Sequence, residues 1–360
     1  MTSGNRPTLV TVAKVAGVSV ASASRALNGR SASPDVQRRV LAAAEQLGYL
    51  PNAAARSLRE GRTDQLAVAV PDLGNPFYVT MISGIESLTK SEGFRLLVHS
   101  TGGDPADETG LIESMSRRYV DGLIISPLRV TDGLLRALAQ SAYPIVAAST
   151  LPEGSLVDTV NTDNASAVDL AVKHLLVSGR RRLAMVNGPL ETMPGAVRGR
   201  AFQEALAAAG LAVDPASIEH ATDFTHTAGR AAAERLLSRY QPDAVMCGND
   251  LIAVAVISTL AGRGLRVPDD VAVAGMDDTE LAEFHLPTIT SVSLEAAALG
   301  KAAARMLLHR VADPDLPLRR MRIVPRLVVR ESTARSGTVP CSPPWMRAGA
   351  DGTVSDELQR

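Results

Sequence analysis

Hydrophobic residues follow two different patterns along this chain of 360 residues, and the change falls near residue 63. In residues 8–47 they recur at helical spacing in three short segments. After residue 63, short continuous apolar runs alternate with helical segments, as in a parallel sheet covered by helices on both faces. The pattern therefore predicts an all-α head followed by an α/β body.

The head carries clear helix signals. Thr8 is a good N-cap for a first helix, and Gly17 ends that helix in a position suited to a positive φ. Ser19 caps a second helix over residues 20–28, and the Ser-Pro-Asp sequence at 33–35 begins a third. Small side chains on both sides of the tight turn allow the first two helices to pack closely. These features predict a helix-turn-helix.

The body contains two successive sets of strands and helices. The first set is expected at residues 66–70, 78–91, 94–98, 107–119, 122–125, 133–141 and 145–148. The second set is expected at residues 165–177, 183–186, 197–209, 228–238, 244–247, 251–263 and 271–274. We therefore expect two similar α/β lobes, and in such lobes ligands bind beyond the carboxyl ends of the strands.

Charge separates the head from the body. Residues 1–62 hold nine Lys or Arg and three Asp or Glu, which gives +6; since the whole chain carries −1, the remainder carries −7. A basic head is expected where a protein meets phosphate, and a solvated charged surface is the alternative. The two cysteines lack metal-ligand spacing, so no metal or cofactor is expected. Because no signal peptide and no long apolar run are found, the chain is expected to be cytoplasmic.

The second helix of the head is the predicted DNA-reading element. Arg25 is suited to bidentate bonds with guanine, and Val20 and Ala21 are suited to apolar contact with a thymine methyl group. Hydroxyl and amide side chains suit the phosphate backbone instead. The remaining candidate DNA contacts in the head are Thr8, Ser19, Ser22, Ser24 and Asn28. A three-helix protein-interaction module is the alternative, and the arginine and the basic charge disfavour it.

The head resembles the headpiece of the lactose/galactose repressor (LacI/GalR) family of transcriptional regulators. The family pattern V-A-x-x-A-G-V-S-x-x-[ST]-x-S-R-x-L-N occurs at residues 12–28. Thr11 departs from the family, which usually has Asp there, so we expect a weaker capping contact at the first helix. The resemblance covers residues 8–334. It implies a sequence-specific DNA-binding regulator, with repression favoured, that binds a pseudo-palindromic operator as a homodimer.

Residues 51–62 resemble the hinge of the same family. Asn52 can cap a short helix there, and a helix of under about 12 residues is marginal when isolated. The resemblance implies that it orders only against DNA and its dimer partner. Ala55 is small enough for two hinge helices to approach, Arg56 is a further DNA contact, and Leu58 is the minor-groove wedge. A plain interdomain linker with some helical propensity is the alternative.

The resemblance also implies a periplasmic-binding-protein-like core of two parallel-sheet lobes, between which the chain crosses three times. We place the crossings near Asn161, Ser291 and Val324. The resulting division is 1–50 for the head, 51–62 for the hinge, 63–161 plus 293–322 for the first lobe, 162–290 plus 325–334 for the second lobe, and 335–360 for a disordered tail.

Residues near the ends of the body strands form the candidate effector site. Its polar members implied by the resemblance are Asp163, Arg198, Asn249 and Asp277. Arg198 fits the family element R-x-x-G-[FYW], with Ala201 in place of Gly. The further candidates are Asp72 and the aromatic residues Phe77, Tyr78 and Phe224, which suit the apolar face of a sugar or base. A helix cap or loop stabiliser is the alternative for each polar residue, and we expect such a role for Asn164, Asp250 and Asp278.

The function classes can be ranked from these features. No catalytic motif is found, so an enzyme is not expected. Cys247 ends an apolar strand and is expected to be a buried, inert thiol. An effector-controlled regulator is favoured over a solute-binding protein, which would lack the head, and over an architectural DNA-binding protein whose body only dimerises. The expected effector is a sugar or sugar derivative; a nucleoside or purine stays open, as does the direction of its effect.

Overall fold

The helical head and the α/β body form two separate units, Met1–Thr63 and Asp64–Arg360, in the computed structural model. The structure describes residues 7–27, 32–50, 62–115 and 119–334. Several predictions lie outside these described residues: the DNA contacts Asn28, Asn52, Ala55, Arg56 and Leu58, and the tail at 335–360. They stay predictions below.

Three helices form the head: α1 (Leu9–Ala16), α2 (Val20–Leu27) and α3 (Pro34–Leu47). Small and β-branched side chains fill the centre of the bundle, which lets the helices approach closely. The buried residues are Val12, Ala13, Ala16, Ala23, Ala26, Val40, Ala43 and Ala44. The head is thus the helix-turn-helix unit that the sequence predicts.

The start of α1 is better capped than the sequence suggests. Thr8 Oγ1 accepts a hydrogen bond from the backbone N–H of Thr11 at 3.3 Å, and Thr11 Oγ1 accepts one from the N–H of Thr8 at 2.9 Å. The expectation of a weaker contact at Thr11 was wrong, because its hydroxyl completes the reciprocal capping that an acidic side chain would otherwise provide. Gly17 then ends α1 with φ at 63°, as expected.

Two six-stranded sheets form the body. In chain order the strands are β1 (Gln65–Val70), β2 (Arg95–Ser100), β3 (Gly122–Ile125), β4 (Ile145–Ala147), β5 (Asp158–Thr162), β6 (Leu183–Asn187), β7 (Ile218–His220), β8 (Ala244–Cys247), β9 (Ala272–Asp277), β10 (Thr290–Ser293), β11 (Arg320–Ile323) and β12 (Arg326–Val328). The first sheet has the order β11-β5-β4-β3-β1-β2, and the second β12-β10-β9-β8-β6-β7. All neighbours are parallel except β10 and β12.

Helices cover both faces of each sheet. They are α4 (Pro76–Thr89), α5 (Pro105–Ser114), α6 (Asp132–Gln140), α7 (Asn164–Val177), α8 (Met193–Ala208), α9 (His226–Arg239), α10 (Asp250–Gly262), α11 (Glu280–Phe284) and α12 (Ala296–Ala312). Several begin earlier than expected, because a capping side chain and a proline fix the first turn: Asn75 precedes Pro76 in α4, and Asp104 precedes Pro105 in α5. The helix expected at 107–119 accordingly spans Pro105–Ser114.

The chain crosses between the lobes after β5, after β10 and after β11. Two crossings lie slightly later than expected, since Asn161 lies within β5 and Ser291 within β10. Ser291 pairs with Gly275 on one side and Val328 on the other, which keeps it in the second sheet. The first lobe is therefore built on the first sheet with α12, and the second lobe on the second sheet.

Helices α4 and α12 of the first lobe touch through their backbones. A Cβ added at Gly84 would overlap the carbonyl oxygen of Ala297, and one added at Gly300 would overlap that of Met81. Glycine at these two positions therefore allows the close approach. Among the described residues, no single helix is long and apolar enough to cross a membrane, although the sharply bent pair α1 and α2 meets the length and composition criteria together.

Candidate functional sites

The exposed face of α2 carries the predicted base-reading side chains. Val20, Ala21 and Arg25 are exposed, whereas Ala23 and Ala26 of the same helix are buried in the head. Helical periodicity explains this division, because the two buried residues lie on the opposite side of the helix. The structure thus brings the three predicted base contacts together on one accessible surface.

Short hydrogen bonds orient Arg25 on this face. Its Nη2 donates to Ser22 Oγ at 3.2 Å, and Ser22 Oγ lies 2.9 Å from Ser19 Oγ. Ser19 Oγ also accepts from the N–H of Ser22, so it caps α2 as expected. Ser19 and Ser22 therefore support Arg25 as well as standing near the surface expected to meet phosphate.

Arg39 is a residue of the head that the sequence reasoning did not single out. Its Nη1 donates to the carbonyl of Ala16 at 3.2 Å, at the end of α1 where carbonyl groups lack helical partners. Its Nε pairs with Asp35 in the first turn of α3. Arg39 thus fastens α3 to the turn that presents α2. The sequence does not indicate this role, because Arg39 lies in the interior of α3.

A cavity of about 250 Å³ in the body contains most of the predicted effector contacts. Seven of the eight predicted residues line it: Asp72, Phe77, Tyr78, Arg198, Phe224, Asn249 and Asp277. The first three lie after β1 in the first lobe, and the others belong to the second lobe. The cavity therefore lies between the lobes, beyond the carboxyl ends of the strands, where ligands bind in open α/β sheets.

Arg198 of α8 is buried and held in one orientation. Its Nε donates to Asn164 Oδ1 at 2.8 Å, and its Nη1 donates to the carbonyl of Gly248 at 2.5 Å. Its guanidinium carbon lies 5.7 Å from the centre of the Phe224 ring, within the range of a cation–π contact. Because these partners leave other N–H groups of the guanidinium free, Arg198 can donate hydrogen bonds to a ligand without rearrangement.

Asp277, at the end of β9, is buried and faces the Arg198 charge. Burial raises the pKa of the Asp277 carboxyl to about 8, although the positive charge of Arg198 acts in the opposite direction. Burial also lowers the pKa of Arg198. At neutral pH Asp277 is therefore mostly protonated and can donate as well as accept a hydrogen bond. Its φ of 104° is rare outside glycine and marks a backbone held in place by its surroundings.

Asp163 is a helix cap, the alternative left open for it, and its role as an effector contact stays a prediction. Asp163 is the N-cap of α7, accepts from the N–H of Ser166 at 3.0 Å and faces Arg322 at 3.4 Å. It does not line the cavity of the effector candidates. The N-cap position turns a side chain back toward its own helix, whereas Asn164 is free to accept from Arg198.

Three further polar predictions need refinement. Asn249 lines the cavity, but its Oδ1 caps α10 and its Nδ2 donates to the carbonyl of Phe224, so it positions the aromatic ring. Asp250 is a loop stabiliser, one of the two roles expected for it: its carboxylate accepts from Thr279 and Ser291 and joins the strand ends. Asp278 likewise pairs with Arg330 at 2.7 Å. Buried carboxylates without such partners would be costly, which explains these contacts.

The cavity also contains residues outside the eight candidates. They lie on loops after strands and at helix starts: Pro71, Asn75, Gly102, Leu128, Arg129, Pro189, Thr192, Pro194, Thr222 and Asp223. Leu128 and Arg129 follow β3, so the strand-end rule applied to every strand would have found them. The carbonyl of Leu128 also accepts from the N–H of Met193 at 2.7 Å, a direct bond between the lobes.

Cys247 is buried at the end of β8, as expected. Burial raises the pKa of its thiol well above the usual range, so the thiol stays protonated. The thiolate is the nucleophilic form of cysteine, and Cys247 is therefore unsuited to covalent chemistry in the folded protein.

A helix-turn-helix head joined to a two-lobed body with an interlobe cavity defines a class of ligand-responsive DNA-binding regulators. Residues 8–52 match the family described as "Bacterial regulatory proteins, lacI family", and residues 172–333 match the "Periplasmic binding protein-like domain". The chain belongs to the LacI family. The resemblance stated for the head and the core is thereby confirmed.

Relatives and solved structures agree over nearly the whole chain. The ribose operon repressor of Escherichia coli (strain K12) is 33% identical over 329 residues, covering 90% of this chain and 99% of that protein. The regulator CelR of Thermobifida fusca is 34% identical, covering 91% and 98%. A CelR–cellobiose complex has a TM-score of 0.69 at 33% identity, covering 91% of this chain and 100% of that one. The lac repressor dimer bound to operator and the anti-inducer ONPF has a TM-score of 0.82 at 23% identity, covering 91% and 99%, and supports the fold.

These relatives are transcriptional regulators, which agrees with the absence of catalytic motifs in the sequence. The protein is accordingly a DNA-binding transcriptional regulator controlled by a small-molecule effector, the function that the sequence predicts.

Proposed function

We propose that this protein is a repressor that binds a pseudo-palindromic operator as a homodimer and responds to a small carbohydrate in the interlobe cavity. The observation that carries the proposal is the cavity itself, which is lined by the buried Asp277 and by the buried Arg198 beside the Phe224 ring. Charged and polar groups that orient hydroxyls, next to an aromatic face, suit a sugar.

The size of the cavity favours a small effector. Its volume of about 250 Å³ is just below the range of roughly 300–1,000 Å³ typical of ligand sites. A monosaccharide or a derivative of similar size fits this volume better than a larger ligand in the same lobe arrangement. The ribose operon repressor and the CelR–cellobiose complex support a carbohydrate by their names.

The coupling of the effector to DNA follows from contacts between the lobes. Arg198 and Asp277 contact the effector from the second lobe, and Phe77 and Tyr78 contact it from the first. An effector held by both lobes favours one lobe arrangement over the other. We infer that this arrangement changes how the hinge at 51–62 orders on the operator. Such coupling is typically about 1–3 kcal/mol, or roughly 5- to 150-fold in affinity.

DNA footprinting with and without sugars tests the proposal. We expect a protected site with two-fold symmetry, and Arg25→Ala should weaken protection and relax base preference at one position in each half-site. Arg38→Ala is the matched control: it removes one positive charge from the head at an exposed site paired with Asp35. A search in which no symmetric site is protected at any effector concentration would refute the proposed function.

A further inference from the structure

The cavity contains a second arginine besides Arg198, and it lies in the opposite lobe. Arg129 follows β3, lines the cavity from the first lobe and is half-buried. Its Nη1 donates to the backbone carbonyl of Gly103 at 3.0 Å. Within the part of the body that the structure describes, no carboxylate lies within ion-pair distance of its guanidinium. The arginine therefore brings a positive charge and free donors to the cavity.

The nearby acidic groups are engaged elsewhere. Asp72 and Asp223 are exposed at the cavity rim, and each accepts from a backbone N–H within its own loop at 2.7 Å. Asp277 faces Arg198 in the second lobe. Glu108 is the acidic group whose pKa the Arg129 charge lowers, and it is buried against Thr101. Burial has the larger effect and raises the pKa of Glu108 to about 7, so this carboxyl is only partly ionised at neutral pH.

A half-buried guanidinium gains most from a ligand that supplies negative charge. When a ligand fills the cavity, it displaces the water that solvates Arg129. The loss of these hydrogen bonds to water is costly unless the ligand provides bonds in their place. A carboxylate or phosphate matches the planar fork of arginine with two charge-assisted hydrogen bonds, whereas a sugar hydroxyl supplies a weaker neutral acceptor.

We propose that Arg129 is a specificity residue and that the effector is a small carbohydrate bearing an acidic group, either a carboxylate or a phosphate. The acidic group lies against Arg129 in the first lobe, and the hydroxyls of the ring meet Arg198 and Asp277 in the second. The ligand charge thereby bridges the lobes. This inference rests on the proposed function and narrows its effector class.

Matched pairs of probes test the inference. Isothermal titration calorimetry on the full chain compares glucose with glucuronate and glucose 6-phosphate, galactose with galacturonate, and ribose with ribose 5-phosphate. The variants are Arg129→Gln, which removes the charge, and Arg129→Lys, which keeps the charge but loses the planar fork. Arg136→Gln is the control, since this exposed arginine of α6 lies in the same lobe away from the cavity.

We expect at least one acidic probe to bind the wild type about 10- to 100-fold more tightly than its neutral partner, the effect of bonds to a charged group. Arg129→Gln should remove that preference and leave the affinity of the neutral sugar within about threefold, Arg129→Lys should retain part of the preference, and Arg136→Gln should retain all of it. Comparison of the carboxylate with the phosphate arm identifies the acidic group.

Two results would overturn the inference. One is a neutral sugar that binds at least as tightly as its acidic counterparts, or no binding by any acidic probe. The other is that Arg129→Gln weakens the binding of an acidic probe and of its neutral partner by the same factor. Neither result contradicts the proposed repressor function, because footprinting on the operator tests that function separately.

Discussion

Asp277→Asn should change how the stability of the body depends on pH. The unfolded carboxyl titrates near 3.8, and burial raises the pKa of the folded one to about 8. Between these values the folded protein binds one proton more than the unfolded chain at this position. The free energy of unfolding contributed by Asp277 therefore falls as the pH rises from about 4 to about 8, and is constant outside that window.

The magnitude follows from the width of the window. Each pH unit of difference corresponds to about 1.4 kcal/mol, so the ionised Asp277 destabilises the folded state by at most about 6 kcal/mol above pH 8. Asparagine is of similar shape and cannot ionise. We therefore expect the stability of Asp277→Asn relative to the wild type to increase steadily from pH 5 to pH 8 and then to level off.

Urea unfolding at half-unit pH steps from 5 to 9 measures this difference. Asp163→Asn is the control: burial acts to raise the pKa of Asp163, but hydrogen bonds from Ser166 hold it below the usual range. Asp163 is therefore ionised throughout, and its variant should differ from the wild type by a constant amount. If Asp277→Asn also differed by a constant amount, Asp277 would be ionised at neutral pH and would form a full ion pair with Arg198.

Three further predictions concern packing, DNA binding and reactivity. Gly300→Ala should destabilise the body by about 1–3 kcal/mol in denaturant unfolding, because a Cβ there meets backbone; Gly262→Ala, in open space, should be neutral or slightly stabilising, and equal effects would refute the contact. Leu58→Ala should weaken operator binding in gel-shift assays while the effector affinity of the free protein is unchanged; a change in effector affinity alone would contradict the wedge assignment. In a Cys341→Ser background, Cys247 should react with a thiol reagent only upon unfolding, and rapid labelling of the folded protein would show it to be accessible.

The sequence predicted those parts of the fold and site that depend on local patterns. Thr8, Gly17 and Ser19 are recognisable because capping and positive φ require particular residue types. Continuous apolar strands indicated the two sheets. Of the seven predicted residues that line the cavity, Arg198, Asn249 and Asp277 came from the family resemblance, and the other four lie near the ends of strands.

The sequence left roles open where tertiary contacts decide between adjacent residues. Asp163 and Asn164 are both polar and follow the same strand, and only the packing of α7 against α8 determines which one meets Arg198. Asp250 was expected to cap a helix or stabilise a loop, and its partners Thr279 and Ser291, which are distant in sequence, give it the second role. Arg129 was missed because the strand-end rule was not applied to β3, the strand that this residue follows.

The glycine contact between α4 and α12 has a mechanical consequence. The two helices meet backbone to backbone at Gly84 and Gly300, which limits how far one can slide past the other. The first turn of α4 carries Phe77 at the cavity, whereas α12 begins just after the crossing that follows β10. We therefore expect a displacement of Phe77 to move both helices together and to reach the segment between β10 and α12. Hydrogen exchange measured with and without effector should then change together at both ends of the helix pair.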